Sequence, residues 1–372
     1  DVRIQAPQLH IKTVAAGGGS RLFFDNGMLL VGPESAGAHP GPVCYRKGGH
    51  LSLTDANLVL GRIQPRYFPH IFGPNNDLPL DTQGSWEAMR ELTTSINSYY
   101  ADRGKEPLSV EEVAMGFIEV ANEVMVRPIR EISVMRGFDI KDHILATFGG
   151  AGPQHACSIA KALGIREIFI HRFSGILSAY GMGLADVVTE RHRPSASEYT
   201  LQDHDTFIAE LKELQRDAEA EIAEQGFSSE NIHSTLYLNM RYEGTDTSLM
   251  VPRPEDGDFH RAFRQTYTRE FGFDLEGRSV LVDDLRVRSV GITSSVSQQA
   301  VQPAEGPAVP VDEVCCYFGG SWEKVPVYDL EAMRASHQVQ GPALIIQDTS
   351  TIVIEPDCSL RISQFGDMII KV

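Results

Sequence analysis

The sequence predicts an α/β fold followed by a small β-rich C-terminal domain. Its clearest signal is an alternation of elements: an apolar strand at residues 144–148, a glycine turn, a helix at 154–163 and a second strand at 167–170. Such a β-turn-α-β unit favours a covered, mostly parallel sheet. Three further β-prone segments lie near the C-terminus, at 343–347, 351–354 and 368–372.

The first sixty residues predict short strands and turns. Residues 9–15 form a strand-like run. Asn26-Gly27 then separates two apolar runs, 22–24 and 29–31, and this dipeptide is a strong hairpin signal. The Gly- and Pro-rich segment 32–42 is too poor in bulky residues to form core, so we expect a functional loop there.

A long helix is expected after Ser109. Ser109 and Glu112 have the spacing of a capping box, and apolar residues recur at helical spacing from Val113 onwards. We expect this helix to run toward Met135, with Pro128 as a kink or break.

The second half of the chain predicts a charged amphipathic helix at 207–225 and strands at 233–242 and 279–291. The stretch after the last strand is rich in Ser, Gln, Pro, Val and Ala and indicates a linker. We therefore predict three parts, which are an α/β domain at 1–293, a linker at 294–311 and a β-rich domain at 312–372.

Composition narrows the class of protein. The 372 residues carry a net charge of −17 at pH 7, which opposes binding to nucleic acid or to an anionic membrane. No apolar run approaches the roughly 20 residues that span a bilayer. The five cysteines are widely spread without C-x-x-C spacing, so we expect reduced thiols in a soluble cytoplasmic protein. The chain begins with Asp1, and we expect that an upstream part is missing.

Two glycine turns are candidate nucleotide sites. One lies between the strand and the helix of the β-turn-α-β unit, where small residues admit a phosphate chain and helix N–H groups favour negative charge. The other follows the first strand-like run and adds backbone donors and a hydroxyl. An ordinary strand-to-helix turn and a hairpin bend are the alternatives. The candidate cofactor-binding residues are Gly17, Gly18, Gly19, Ser20, Gly149, Gly150 and Gly152.

Three titratable residues near these turns are candidate catalytic groups. His155 begins the helix after the second turn, where a helix N-terminus favours a neutral imidazole that donates or accepts a hydrogen bond. Glu34 and His39 are the titratable groups of the loop 32–42 and could move protons or bind metal. Packing against the sheet is the alternative for His155, and surface exposure is the alternative for the other two.

Asp55 and Arg241 are candidates for a metal ligand and a substrate ligand. Asp55 stands beside an amide in Thr54-Asp55-Ala56-Asn57 and could hold Mg²⁺ through water, although capping of a short helix is an alternative. Arg241 ends a strand, where it could grip a carboxylate with two bonds or form a strand-end salt bridge.

Together these segments resemble the hydantoinase A and 5-oxoprolinase family. The matching stretches, in the order of the family, include VGPESAGAHPGPVCYRKGG and LTDANLVLGRI within residues 4–73, and continue at 113–137, 148–188 and 237–246. The resemblance implies a ribonuclease-H-like lobe of the actin, Hsp70 and sugar-kinase type. In that fold the turn at Gly149 would lie near the nucleotide.

The resemblance also implies a reaction and its cofactors. It implies ATP-dependent hydrolysis of 5-oxoproline to glutamate in glutathione metabolism, with Mg²⁺ and a monovalent cation such as K⁺. Phosphorylation of the lactam oxygen would make it a better leaving group. A related hydantoinase or ketone carboxylase is an alternative, and so is a non-catalytic assembly fragment.

The family pattern has parts that this sequence lacks. The two Asp/Gly/Thr phosphate loops should precede residue 1, and a hydantoinase B-like half should follow residue 372. We therefore expect an internal fragment that is inactive alone, with those two parts as partners and a homo-oligomeric assembly.

Overall fold

A computed structural model describes residues 11–134, 137–200, 202–293 and 298–372. Seven helices lie in these ranges, and they are α1 (Leu53–Val59), α2 (Thr82–Ala101), α3 (Val110–Val134), α4 (Ala156–Leu163), α5 (Leu177–Leu184), α6 (His204–Glu224) and α7 (Phe259–Phe271). None of these helices combines the length and apolarity needed to cross a membrane.

The strands of the N-terminal two thirds are β1 (Ser20–Asp25), β2 (Met28–Ser35), β3 (Leu145–Ala146), β4 (Glu167–Ile170), β5 (Val187–Glu198), β6 (Ile232–Tyr242), β7 (Leu249–Pro252) and β8 (Val280–Gly291). Those of the C-terminal part are β9 (Asp312–Phe318), β10 (Ser321–Asp329), β11 (Gln338–Gln340), β12 (Ala343–Gln347), β13 (Ser350–Ile354), β14 (Ser359–Ile362) and β15 (Met368–Lys371).

The chain forms two compact units. The first contains residues 1–178 and 298–372, and the second contains 179–297. The sequence-based division into 1–293, 294–311 and 312–372 stays a prediction. Contacts in the structure group the C-terminal strands with the first unit, because β15 pairs with β4 along the register Met368↔Ile170.

The described residues of the first unit form three sheets. β1 and β2 form a hairpin, β13-β12-β10-β9 form a four-stranded sheet, and β11-β14-β15-β4-β3 form a five-stranded sheet. Apolar side chains of α4, β4, β12, β13, β14 and β15 make one core, and those of α1, α2 and α3 make another. Burial of these faces supplies the main stabilisation of the unit.

The second unit is a four-stranded antiparallel sheet, β5-β8-β6-β7, with helices α6 and α7 packed on it. Its core includes the buried side chains of Leu211, Phe263, Leu238 and Val282. The helix expected at 207–225 and the strands expected at 233–242 and 279–291 are therefore confirmed.

Local signals also predicted the first unit well. The Asn26-Gly27 hairpin is confirmed, and both residues have positive φ, as a two-residue turn of this kind requires. Ser109 and Glu112 exchange side-chain bonds with each other's backbone N–H groups at 3.1 and 2.7 Å, so the capping box is confirmed. β3 and β4 are parallel and flank α4, as expected.

Three expectations were wrong or only partly testable. The sheets are mostly antiparallel, since among the strands of the described residues only β3–β4 and β10–β12 pair in parallel, apart from isolated parallel bridges at Pro42↔His50 and Pro303↔Ala335. Pro128 does not end α3, and Met135 lies outside the described residues. Of the strand expected at 9–15, residues 9 and 10 lie outside the described ranges, and residues 11–15 form no regular element.

Candidate functional site

Both predicted glycine turns line one cleft in the first unit. The cleft has a volume of about 480 Å³, and its floor is formed by Gly18 and Gly19 from one turn and by Gly150 and Ala151 from the other. Residues more than 130 positions apart in sequence thus meet at one concave surface, which is the usual form of a small-molecule site.

The turn after β3 is shaped by its glycines. Gly149 has a φ of +87°, which favours glycine, and its N–H donates to the carbonyl of Ser174 at 2.8 Å. A Cβ on Gly150 would lie 3.1 Å from the carbonyl oxygen of Thr349, and one on Gly152 would lie 2.8 Å from Oγ1 of Thr147. Small residues are therefore required for this turn to fit against its neighbours.

The turn before β1 is closed by Ser20. Its N–H donates to the carbonyl of Gly17 at 2.9 Å, and its hydroxyl accepts from the N–H of Gly17 at 3.0 Å. Thr54 binds the carbonyl of Gly18 through both its N–H and its hydroxyl, each at 2.9 Å. Gly17 and Ser20 therefore shape the turn, while Gly18 and Gly19 face the cleft.

Four backbone donors at this floor have no acceptor within the described part of the chain. They are the N–H groups of Gly18, Gly19, Gly150 and Ala151. Backbone donors gathered in a concavity attract anions such as phosphate or carboxylate. Because no Lys or Arg lines the cleft in the described ranges, these donors would supply most of the attraction.

One wall of the cleft is apolar and aromatic. The ring centroids of Tyr45 and Phe72 lie 4.7 Å apart, and burial raises the pKa of Tyr45. The hydroxyl of Tyr67 donates to Oδ2 of Asp312 at 2.8 Å. Such a wall accepts the face of a flat ring. The remaining residues of this wall are Ile63, Phe68, Pro69 and Ile71.

The opposite wall is the polar tip of the β12–β13 hairpin. It consists of residues 347–351, and Nε2 of Gln347 donates to the carbonyl of Arg172 at 2.7 Å. Asp348 is exposed and is the carboxylate that lines the cleft among the described residues. No group of three metal-binding side chains occurs in the described ranges.

His155 lies behind the glycine turn and not in the cleft. It is 2% exposed, with Nδ1 at 2.8 Å from Oδ1 of Asn122 and Nε2 at 3.5 Å from Nδ2 of Asn57. Burial, and then the charge of Arg62, lower the pKa of His155 to about 4. The lowered pKa agrees with the expected neutral imidazole. A catalytic contact with substrate does not fit, because the side chain is enclosed by protein.

Arg62 is a buried cation that forms no direct ion pair in the described structure, although the charges of Glu355 and Glu119 act on it. It is 1% exposed, and its Nε and Nη1 atoms have no hydrogen-bond partner. Its Nη2 lies 3.4 Å from Sδ of Met115, and its guanidinium carbon lies 5.0 Å from the centroid of the Phe318 ring. This charge makes protonation of the nearby His155 still less favourable.

Glu34 and His39 are exposed and do not line the cleft. Glu34 forms an ion pair with Arg21. Both residues therefore lie at the surface, which was the alternative to a catalytic role. Proton transfer by either residue stays a prediction.

The carboxylate of Asp55 accepts hydrogen bonds from several protein groups. Its side chain is fully buried and closes a capping box with Ser52 at the start of α1. Its two oxygens accept bonds of 2.7–3.2 Å from the N–H groups of Val43, Cys44 and Ser52 and from the hydroxyls of Ser52 and Ser85. The predicted metal role does not fit this geometry, because both carboxylate oxygens already accept hydrogen bonds from protein donors. The alternative, capping of a short helix, does fit it.

Arg241 forms the strand-end salt bridge that was the alternative to substrate binding. Its Nε donates to both oxygens of Asp283 at 2.9 and 3.0 Å, and its Nη1 donates to the carbonyl of Thr245 at 3.0 Å. Arg241 belongs to the second unit, whereas the cleft belongs to the first. Substrate binding by Arg241 stays a prediction without support from this geometry.

Neither wall of the cleft was predicted from the sequence. The aromatic residues at 67–72 occur in a short 3-10 segment and its loop, where no periodicity points to a shared surface. The polar run Gln347 to Thr351 between two β-prone segments could have indicated an exposed hairpin tip. Its position against Gly150 depends on long-range packing and could not be derived locally.

Known families match nearly the whole chain. The family described as hydantoinase/oxoprolinase matches residues 1–191, and the hydantoinase/oxoprolinase C-terminal domain matches 195–366. A 5-oxoprolinase of Arabidopsis thaliana is 48% identical over 99% of this chain, and one of Dictyostelium discoideum is 48% identical over 96%. The chain spans 30% and 28% of the lengths of these two relatives.

Two solved structures share the fold. A nucleotide-free acetone carboxylase matches 96% of the chain with a TM-score of 0.77 at 22% identity. An ATP-dependent caprolactamase from Pseudomonas jessenii matches 95% of the chain with a TM-score of 0.74 at 27% identity. Each match covers 52% of the other chain. The expected α/β fold with a β-rich C-terminal part is thus confirmed.

Proposed function

Because the chain belongs to the hydantoinase/oxoprolinase family, we propose that it supplies the nucleotide-binding cleft of a longer enzyme that hydrolyses 5-oxo-L-proline to L-glutamate with ATP. In this proposal the enzyme is cytoplasmic and the isolated chain is inactive. A phosphate-binding lobe and a hydantoinase B-like half complete the enzyme, which assembles as a homo-oligomer.

The observation that carries the proposal is the meeting of two glycine turns at one cleft. The four unpaired N–H groups on its floor suit the oxygens of a phosphate chain. The aromatic wall suits a nucleobase or another flat ring. A Cβ would lie 2.8 Å from Oγ1 of Thr54 if placed on Gly18, and 3.1 Å from the carbonyl oxygen of Thr349 if placed on Gly150, so a larger residue at either position would displace the floor.

ATP, when bound, would supply the phosphoryl group that activates the amide oxygen of the lactam. The residues of this chain would bind and orient it. Donors from Gly18, Gly19, Gly150 and Ala151 would hold the phosphate oxygens in place and offset the negative charge that develops on them. Packing of the hairpin tip against Gly150 would keep those donors fixed.

We propose that His155 is a positioning residue that holds the glycine turn. It caps α4 immediately after the glycine turn, and both ring nitrogens face buried amide side chains. A neutral imidazole there holds the turn without a buried charge. Proton transfer by Glu34 or His39 would require the longer enzyme to bring them to the substrate.

We propose that Mg²⁺ would be bound mainly by the nucleotide and would not be enclosed by protein ligands. Mg²⁺ is usually held by one or two carboxylates together with substrate phosphates and water. Asp348 is the carboxylate on the rim of the cleft and is the candidate for such a contact.

Calorimetry of this chain with MgADP and with magnesium tripolyphosphate tests the cleft. Binding of both, with tighter binding of MgADP, supports it, and binding of neither refutes it in favour of an assembly fragment. The reaction is tested separately by ATP-dependent loss of 5-oxoproline, a hydantoin, caprolactam or a ketone in the longer protein. The caprolactamase likeness makes another cyclic amide the second candidate substrate.

A further inference from the structure

A second, smaller cavity lies in the first unit. Its volume is about 60 Å³, and among the described residues it shares no lining residue with the cleft. It lies between the segment after β4, the loop after β10 and the turn between β14 and β15. Pockets for drug-sized ligands enclose roughly 300–1,000 Å³, and one water needs roughly 10–15 Å³. The cavity therefore suits a few waters or one small ion.

Two arginines line this cavity, and neither forms an ion pair in the described part of the chain. Nη1 of Arg172 donates to the carbonyl of Phe365 at 3.4 Å. Nη1 of Arg334 donates to the carbonyls of Glu331 and Met333, each at 3.0 Å. Nε and Nη2 of both arginines have no acceptor among the described residues. These two nitrogens form one edge of the planar guanidinium group, so each arginine keeps a complete edge of donors for a ligand.

Apolar side chains form another part of the cavity wall. Leu330, Met333 and Ile362 are buried there, and Val301 is half-buried. Charges attract more strongly beside such groups than in open water, because the local dielectric constant is lower. The wall therefore strengthens the attraction between the arginines and an anion.

Two carboxylates lie near the arginines without neutralising both of them. Oδ1 of Asp367 accepts from the backbone N–H of Arg172 at 3.1 Å, and its Oδ2 accepts from the hydroxyl of Ser363 at 3.3 Å. Asp367 is not among the described residues that line the cavity. Glu331 does line the cavity and is exposed. The lining therefore keeps one net positive charge.

The backbone at Arg172 connects this cavity to both sides of the cleft. The carbonyl of Arg172 accepts from Nε2 of Gln347, which belongs to the polar wall of the cleft, at 2.7 Å. The carbonyl of Ser174 accepts from the N–H of Gly149 at 2.8 Å. Residues 172–174 thus hold the hairpin tip and the glycine turn in place. A ligand that orders the side chain of Arg172 would also order these two contacts.

We propose that Arg172 and Arg334 bind a small oxyanion such as inorganic phosphate, and that this binding stabilises residues 172–174. One edge of a guanidinium group binds two oxygens of the same anion through parallel N–H groups. A tetrahedral oxyanion has enough oxygens for both arginines, whereas chloride offers a single atom. The binding of this anion depends neither on the nucleotide nor on the proposed reaction.

Calorimetry with inorganic phosphate in a low-salt buffer tests the site. Arg172→Gln and Arg334→Gln should each weaken phosphate binding by about tenfold, because each removes hydrogen bonds from a charged donor. Arg361→Gln is the matched control, since Arg361 is an exposed cation of β14 that does not line the cavity in the described structure. Glu331→Gln should strengthen binding because it removes the negative charge of the lining, and misfolding cannot produce such a gain.

Each result has a definite meaning for the site. Weaker binding in the Arg172 and Arg334 variants, with unchanged binding in Arg361→Gln, supports it. Absence of phosphate binding to the wild type, or equal affinity in Arg172→Gln and Arg361→Gln, overturns it. No outcome requires the chain to bind MgADP, so failure of the proposed function would be recognised separately.

Hydrogen exchange tests the connection to the cleft. Phosphate should slow exchange of the Gly149 amide in the wild type, because that amide donates to Ser174. Arg172→Gln should abolish the effect and Arg361→Gln should preserve it. An exchange rate that phosphate leaves unchanged in the wild type would refute the stabilisation of residues 172–174.

Discussion

Nδ1 of His155 lies 2.8 Å from Oδ1 of Asn122 in the interior of the first unit, one residue beyond the segment that closes the glycine turn. The bond joins α3 to the N-terminus of α4 and selects the tautomer with a proton on Nδ1. Through this hydrogen bond, α3 helps to determine the position of the glycine turn before α4.

Acid should destabilise the first unit through His155. Its pKa is about 4 in the folded chain and about 6.5 when unfolded, so the unfolded state binds the proton more readily. Stability is fully present above pH 6.5 and falls by about 3 kcal/mol as the pH drops toward 4. Urea unfolding between pH 7 and 4 measures this. His155→Gln should flatten that part of the profile, and an unchanged slope would contradict the assignment.

Gly18→Ala should weaken nucleotide binding. Its Cβ would lie 2.8 Å from Oγ1 of Thr54 and displace the turn, so we expect about a tenfold loss of MgADP affinity. Gly17→Ala is the control, because its Cβ meets nothing within 4 Å. Calorimetry compares the two variants, and equal losses would show that the floor does not contact the ligand.

Phe68→Ala should separate ring binding from phosphate binding. Loss of one aromatic face from the cleft wall removes about 1–3 kcal/mol of stacking with a base. The affinity for tripolyphosphate should stay the same, since the glycine floor is untouched. If both ligands lose affinity equally, the wall supports the fold and does not bind a ring.

Asp55→Ala should destabilise the chain without any dependence on metal. Four residues lose a buried acceptor, and breaking such a network costs about 3–5 kcal/mol. Asp348→Asn, at an exposed position, should leave stability within about 0.5 kcal/mol. Thermal melts with and without Mg²⁺ measure both effects, and stabilisation of the wild type by Mg²⁺ that Asp55→Ala abolishes would restore the metal hypothesis.

Arg241→Ala should affect stability but not ligand binding. Its ion pair with Asp283 is about one quarter exposed on each side, so we expect a loss of about 1 kcal/mol after screening. MgADP affinity should be unchanged, because the cleft belongs to the other compact unit. A raised substrate KM with unchanged stability in the longer enzyme would instead favour the predicted substrate contact.

Features that a few neighbouring residues determine could be predicted from the sequence. The Asn26-Gly27 turn, the Ser109 capping box and the glycine turn at 149–152 are of this kind. The antiparallel pairing of β15 with β4 could not be predicted, because it joins segments about 200 residues apart and no local pattern encodes that register. The same reason applies to the hairpin tip that completes the cleft.

Asp55 shows why residue type alone does not determine a role in the site. A carboxylate beside an amide suits a metal, but the number of donors that surround it is a property of the folded core. Arg241 is a similar case, since its partner Asp283 lies on another strand of its sheet.

The β4–β15 pairing also has a consequence for synthesis. The ribosome releases β4 long before β15, and all of residues 179–297 emerge between them. β4 must therefore wait for β15 before it gains its antiparallel partner, and closing so long a loop slows folding. Folding of the first unit should therefore be completed after folding of the second, whose residues are continuous in sequence.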